Sequence, residues 1–398
     1  MSLNTTPSAE RIHIGFFGRT NAGKSSLVNA ILGQQVSMVS EEKGTTTDPV
    51  KKTMELLPLG PVLLIDTPGL DDKSKLGELR EEKTKEILKQ IHIAVIVVDV
   101  TEGMQEQDIW LENQLKKENT PYVIVFNKND LLDVKNSALE KQNVVQRGPI
   151  YVSVKTKENI DLLKECIATF KLEKEEKKLV SDLLEPKDHV VLVIPIDKAA
   201  PKGRLILPQQ QTIRDIIDAG CTLSVCQVEN LKDTLELLNR PPKLVITDSQ
   251  VFSQVNKIVP NTIKLTSFSI LFARYKGDLE GNVKGAYEIA NLQDGDKILI
   301  SEGCTHHRQC GDIGTEKLPN WILKFTGKKI EFDFTSGGDF PKDLKEYKLI
   351  IHCGACMLNE LQMKQRIVLA KEQEVPMTNY GIAIAFLNHI LDRSIEIL

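Results

Sequence analysis

Nowhere in its 398 residues does this sequence carry an uninterrupted apolar run of the ~18–20 residues that a membrane-spanning helix requires. A membrane partner is therefore not expected. Met1-Ser2-Leu3-Asn4-Thr5-Thr6 lacks the charged-then-apolar order of a secretory leader, which points to the cytoplasm. Neither charge is in excess: 51 Lys and Arg stand against 55 Asp and Glu, a net charge of −4. So balanced a chain is not expected to bind nucleic acid, which demands a basic surface. Aromatic residues make up only 5% of the chain, and no segment interleaves them with basic residues as an RNA-binding strip would. Cysteine is sparse at seven residues. In a reducing compartment these thiols point to burial, metal binding or reactivity more than to disulfides.

What is present is ordinary in bulk, with 41% apolar and 27% charged residues. The length calls for two or three domains. The first third is more specific. Residues 11–17 read as a buried strand that runs into Gly18-Arg19-Thr20-Asn21-Ala22-Gly23-Lys24-Ser25, and a helical pattern follows from Ser26 to Leu32. Strand, glycine-framed loop, Lys-Ser and helix are the context of a phosphate-binding P-loop. In it, the backbone from Gly18 to Gly23 and the amides of Lys24, Ser25 and Ser26 surround the phosphates. Lys24 neutralises the β- and γ-phosphates, and the Ser25 hydroxyl ligates Mg²⁺. Gly44-Thr45-Thr46-Thr47-Asp48 stands where a first switch loop belongs, with Thr46 favoured as the Mg²⁺ and γ-phosphate ligand ahead of Thr45 and Thr47. The strand Val62–Ile65 ends in Asp66-Thr67-Pro68-Gly69, which places Asp66 to support Mg²⁺ through water and the Gly69 amide to meet the γ-phosphate. The strand Tyr122–Phe126 ends in Asn127-Lys128-Asn129-Asp130, and Ser153-Val154-Lys155 completes a base pocket. Asp130 can accept two hydrogen bonds from a guanine edge, a donor pair adenine lacks. At about 1.5–3 kcal/mol for each bond to a charged group, that selects GTP over ATP. The first domain, residues 1–172, is therefore expected to be a P-loop GTPase domain.

This motif set resembles the translation-factor-like GTPases of the TrmE and Era kind. Leu70 stands where many GTPases carry a water-positioning glutamine, so hydrolysis requires another device. The resemblance supplies one. Asn21 matches the P-loop asparagine with which potassium-activated relatives hold K⁺ beside the phosphates, a cation able to replace an arginine finger. Thr47 departs from the pattern, because those relatives usually carry arginine there.

A charge run at 171–178 reads as a solvated linker. Beyond it, the apolar β-type run 189–196, further strands at 222–228 and 244–247, and helices between them describe a small α/β domain over 180–262. It shows no catalytic constellation, and Cys221 and Cys226 are read as structural. A folded unit without a site serves assembly, so a homodimer is expected through it, with 189–196 as the edge strand that pairs across the interface.

The last third, 263–398, reads as a doubly wound α/β domain with strands near 297–300, 329–334, 348–351 and 374–378. Ligands of such sheets bind beyond the carboxyl ends of the strands. Cys304-Thr305-His306 and His352-Cys353-Gly354-Ala355-Cys356 both fall there, and a helix expected from Met357 turns its positive end toward them. Cys304, Cys353 and Cys356 suit zinc, with His306 or His352 as fourth ligand, or three corners of a four-iron cluster. Spacing alone does not separate the two. Cys310 is read as a loop thiol and Cys166 as part of the GTPase core.

Cys-x-His, 45 residues, then His-Cys-x-x-Cys resembles the signature of the HydF family, the FeFe-hydrogenase maturation GTPases. The resemblance extends over the whole chain. It implies a 4Fe–4S cluster on Cys304, Cys353 and Cys356, with His306 and His352 as supporting or exchangeable fourth ligands. It also implies a GTP-hydrolysing scaffold and carrier for the two-iron precursor of the H-cluster, which works with two radical-SAM hydrogenase maturases and delivers to apo FeFe-hydrogenase. The competing reading is a zinc-stabilised RNA-modification or ribosome-assembly GTPase, for which the basic or aromatic strip is missing.

Overall fold

Ile12–Phe17 (β1) is buried at all six positions, as a strand covered on both faces of a parallel sheet must be. It belongs to a computed structural model that describes residues 8–33, 49–69, 84–132, 148–170, 172, 177–196, 205–276, 278–303, 312–355 and 357–398. The switch I threonines Thr45, Thr46 and Thr47, Leu70, Cys304, His306, Cys310 and Cys356 lie outside the described residues. The chain divides into an N-terminal unit, residues 4–173, and a C-terminal unit that takes in 174–398.

In the N-terminal unit β1 is joined by Val50–Leu56 (β2), Gly60–Asp66 (β3), Ile93–Asp99 (β4), Tyr122–Asn127 (β5) and Ile150–Tyr151 (β6) in the order β2-β3-β1-β4-β5-β6. All pairs are parallel except β2 with β3. β4 is also buried at every position. Alternate residues of these strands feed two apolar clusters, one around Phe16, Leu27, Val97 and Leu163 and one around Phe17, Leu111 and Leu115. Each fully buried side chain of this size contributes about 1.5–3 kcal/mol. That burial fixes where the loops at the carboxyl ends of β1, β3 and β5 emerge. Cys166 packs half-buried against the first cluster.

The C-terminal unit holds two parallel sheets. His189–Val193 (β7), Thr222–Cys226 (β8), Leu244–Thr247 (β9) and Lys264–Ser267 (β10) are ordered β10-β9-β7-β8. The expectation that 189–196 forms an edge is overturned. β7 pairs on both sides and ends at Val193, because Val190 to Val193 are fully buried and need cover on both faces. The edges are β10 and β8, and of the four strands β8 alone has exposed residues, Thr222 and Val225. β10 lies just past residue 262; four residues, two of them hydroxylated, are too short and too polar to stand out in the sequence.

Lys297–Glu302 (β11), Glu331–Ser336 (β12), Leu349–His352 (β13) and Met377–Asn379 (β14) form the last sheet in the order β12-β11-β13-β14. One core joins both sheets: Val191, Val245 and Leu265 pack with Ile382 and Ala385 of the helix Tyr380–Leu387 that follows β14. The helix expected from Met357 begins at Glu360, because the Asn359 side chain accepts from the Gln362 amide and sets the start there.

Candidate functional site

The turn after β1 takes positive φ at Gly18 (142°), Asn21 (63°) and Gly23 (92°). A Cβ on Gly18 would stand 2.1 Å from the Val97 carbonyl oxygen, and one on Gly23 would stand 2.3 Å from Asn127 Nδ2, so neither position admits a side chain. Asparagine is among the few other residues that tolerate the left-handed region, which suits Asn21. The loop delivers the chain into the helix Lys24–Ile31. The Lys24 ammonium is held at the loop mouth, where Nζ donates to the carbonyls of Gly18 (3.0 Å) and Arg19 (2.8 Å).

At the carboxyl end of β3, burial pushes the Asp66 carboxyl up, against the pull of the Ser25 hydroxyl and the Lys24 charge. Asp66 Oδ1 is buried without a hydrogen-bond partner. An orphaned carboxylate oxygen beside a P-loop serine is the donor chemistry that Mg²⁺ and its waters require, so the residues fit the ion. Gly69 lies against the P-loop: a Cβ there would meet Thr20 Oγ1 at 2.2 Å.

The base pocket is assembled from β5 and the loop after β6. Asn127 Nδ2 donates to Ala22 O (3.0 Å), and its Oδ1 accepts from the Val154 amide (3.4 Å), which ties P-loop and base loop together. Lys128 takes positive φ (65°), and its Nζ meets Asp99 Oδ2 at 2.6 Å. Asp130 Oδ1 accepts from Ser153 Oγ at 2.6 Å, and Lys155 Nζ stands 3.7 Å from Oδ2. The Ser153 hydroxyl holds the Asp130 carboxyl below its usual range, so it is an anion at neutral pH. Asn21, Gly23, Lys24, Ser25, Ser26, Asn127, Lys128, Asp130 and Lys155 line one cavity of about 700 Å³. Val154, from the segment expected to complete the base pocket, lines it too, and so does Leu131, which no motif marks.

In the C-terminal unit, the parallel pairing brings the ends of β11 and β13 side by side, with Ser301 opposite His352. Cys353 follows directly, and its Sγ accepts from the backbone N–H groups of Gly303 (3.0 Å) and Ala355 (3.4 Å). A sulfur that collects amide donors is set up as a thiolate, which fits an anionic metal cluster. Among the described residues, no group of three or more His, Cys, Asp or Glu gathers to hold a metal. Cys353 and His352 are the candidate ligands that are described. His352 is fully buried, with Nδ1 2.8 Å from Cys353 O and Nε2 2.7 Å from Arg366 Nη1. Burial pulls the Arg366 guanidinium down to about 10, and it stays charged at neutral pH. Buried Glu302 meets the Tyr380 hydroxyl at 3.3 Å, and burial with this neighbouring carboxylate pushes that hydroxyl far up. Arg366, Glu302 and Tyr380 carried no motif, and no sequence signal marks them.

With this geometry in hand, three family profiles match the chain. The family described as a 50S ribosome-binding GTPase matches residues 13–128. The hydrogen maturase F dimerization domain matches 179–277, and the hydrogen maturase F tetramerization domain matches 280–397. Among curated relatives, GTPase Der of Kosmotoga olearia is 36% identical over 132 residues, 32% of this chain and 30% of its own. GTPase Der of Helicobacter hepaticus is 38% identical over 133 residues, 32% of this chain and 27% of its own. The chain thus spans less than a third of the length of these two relatives. Among solved structures, Era of Aquifex aeolicus bound to GDP·AlF4⁻ shares 21% identity at a TM-score of 0.34, over 57% of this chain and 98% of that one. Elongation factor SelB of Methanococcus maripaludis shares 20% identity at a TM-score of 0.32, over 49% and 40%. No described helix is long and apolar enough to cross a membrane.

Proposed function

Because the chain belongs to the hydrogen maturase F family, we propose that it is a GTP-hydrolysing scaffold and carrier for assembly of the FeFe-hydrogenase H-cluster. The observation that carries this reading is the pairing of a guanine-nucleotide pocket with Cys353, an amide-solvated cysteine at the carboxyl edge of a parallel sheet in the other unit. Lys24 balances the phosphate charge, Asp130 and Lys155 select guanine, and Ser25, Thr46 and Asp66 hold Mg²⁺, which neutralises charge between the β- and γ-phosphates. Cys304, Cys353 and Cys356 hold a 4Fe–4S cluster, with His306 and His352 as supporting or exchangeable fourth ligands. The proposed partners are the two radical-SAM maturases and apo FeFe-hydrogenase. Mixing all four proteins tests the role. Wild-type chain should yield hydrogen evolution, and Cys353→Ser should yield none; a cluster-free Cys353→Ser chain that still activates the hydrogenase would leave the carrier reading without a mechanism.

Asn21 assigns hydrolysis a monovalent cation. Turnover is expected to be faster in K⁺ than in Na⁺ at equal ionic strength, and Asn21→Ala should remove the difference. Equal rates in both salts for the wild-type chain would strip Asn21 of this role and leave the rest of the site intact.

The dimerization match covers the middle sheet, and β8 is the edge of it that carries exposed residues. Val225 on it is half exposed, and Ile217 and Leu237 on the flanking helices Leu207–Asp218 and Leu231–Leu237 are exposed too. An edge with apolar neighbours is a template for a second copy. A charge blunts such an edge, so Val225→Lys is expected to shift the light-scattering mass toward the monomer. An unchanged mass would place the contact elsewhere.

A further inference from the structure

Arg366 lies on the helix Glu360–Glu372, yet only 6% of it is exposed. Its Nη1 donates to His352 Nε2 (2.7 Å) and to Ser301 Oγ (3.1 Å), and its Nη2 donates to Gly337 O (2.8 Å). Its Cζ stacks 4.8 Å over the Phe340 ring. One guanidinium therefore clips the carboxyl ends of β11 and β13 and the turn that follows β12. Ser301 Oγ also accepts from Thr335 Oγ1 at 3.0 Å, which links β12 to the same clip.

Two consequences follow from the chemistry of the group. A guanidinium only donates, so His352 Nε2 must accept. The ring proton then sits on Nδ1, where it is donated to the carbonyl of Cys353 at 2.8 Å. Both nitrogens of His352 are thereby engaged, one by Arg366 and one by the backbone of Cys353. The second consequence concerns charge. Among the described residues no carboxylate forms an ion pair with Arg366; Asp339 and Cys353 act on it only through space. A buried cation without a carboxylate partner is costly unless an anion lies close by. The anions that the fold brings near are the Asp339 carboxylate and the Cys353 sulfur with whatever that sulfur holds, and the sulfur acts the more strongly of the two.

We infer that Arg366 is the positioning residue of this sheet edge: it keeps the His352 imidazole off the metal and supplies the buried positive charge that favours the reduced cluster. The inference rests on the reading that Cys353 ligates an iron–sulfur cluster. Charge and hydrogen bonding around a cluster set its potential, which makes that potential the sensitive readout.

The test uses the full chain, reconstituted anaerobically with ferrous iron and sulfide and reduced by dithionite, which supplies one electron per cluster. Arg366→Met keeps length and removes charge and donors. Its cluster should be at least about tenfold harder to reduce, a fall of 59 mV for one electron. Arg366→Lys keeps the charge and should fall by less. In a His306→Ala background, which removes the other motif imidazole, pulsed EPR should show no directly bound nitrogen. Adding Arg366→Met should produce one, because Nε2 is released. A wild-type chain that takes up no iron would overturn the cluster reading itself. A cluster whose potential is the same in wild type, Arg366→Met and Arg366→Lys would overturn the charge role. Strong nitrogen coupling in His306→Ala that vanishes in His306→Ala/His352→Ala would show His352 on the iron with Arg366 intact, and would overturn the positioning role even if Arg366→Met did not fold.

Discussion

Lys24→Ala is expected to lower GTP turnover by at least about 10²-fold, the loss that follows removal of one preorganised donor from a site of developing charge. The ammonium is held at the mouth of the P-loop by two carbonyls, of Gly18 and Arg19. Among the described residues that line the cavity, no other cation stands in its place: Lys128 is committed to Asp99 and Lys155 lies at the base end with Asp130. The loop should keep its shape, because its positive-φ turns are set by Gly18 and Gly23 and its anchor is Asn127 on Ala22. Far-UV circular dichroism should therefore be unchanged while single-turnover hydrolysis collapses. Residual turnover within a few-fold of wild type would remove Lys24 from the phosphate site. The same assay carries the selectivity claim. Hydrolysis of ATP at the GTP rate would contradict the role of Asp130, and Asp130→Asn should weaken the preference by the loss of one charged acceptor, about 1.5–3 kcal/mol per bond.

The second large effect is expected at the other site. Cys353→Ser should lose most of the bound iron, because a hydroxyl is a harder and poorer ligand than a thiolate. A hydroxyl also keeps its proton more tightly than a thiol, while the Cys353 sulfur already accepts from the amides of Gly303 and Ala355, donors that favour a thiolate. Cys304→Ser and Cys356→Ser should behave alike. GTP turnover should be unaffected, since Gly18 to Ser25 and Cys353 belong to separate units of the chain. Iron content and the visible spectrum check the first half, and the GTPase rate of the same preparation checks the second. A serine variant with full iron content would take Cys353 out of the ligand set.

The nucleotide half was legible because each of its parts is local. Gly18, Gly23 and Lys24 stand within seven residues, and the loop needs only the strand before it and the helix after it to take shape. The strands that end in Asp66 and Asn127 announced themselves by apolar runs. The middle sheet was harder. The run from Val190 to Val193 has strand character whether it sits at an edge or in the centre, and only the pairing with β8 and β9 decides. A run without alternation is itself the mark of a strand covered on both faces, and that signal was open to reading. Thr222–Cys226, the strand at the edge, is the one that leaves residues open, at Thr222 and Val225.

Arg366 illustrates the opposite limit. In Glu360–Glu372 it is one charge among several and reads as part of a solvated face. Its burial is created by strand order: β12, β11 and β13 meet as neighbours in an order that differs from their order along the chain, and the guanidinium fills the place where their ends converge. No spacing rule along one helix contains that information. Glu302 and Tyr380, brought together across 78 residues, were hidden for the same reason.

Anaerobic reconstitution of the wild-type chain, followed by metal analysis and EPR of the reduced protein, tests the central claim most directly. The account predicts a brown protein with about four irons per chain, the EPR signal of a reduced four-iron cluster, and loss of both in each of the three cysteine variants. A colourless chain that holds one zinc at the same cysteines and refuses iron would contradict it.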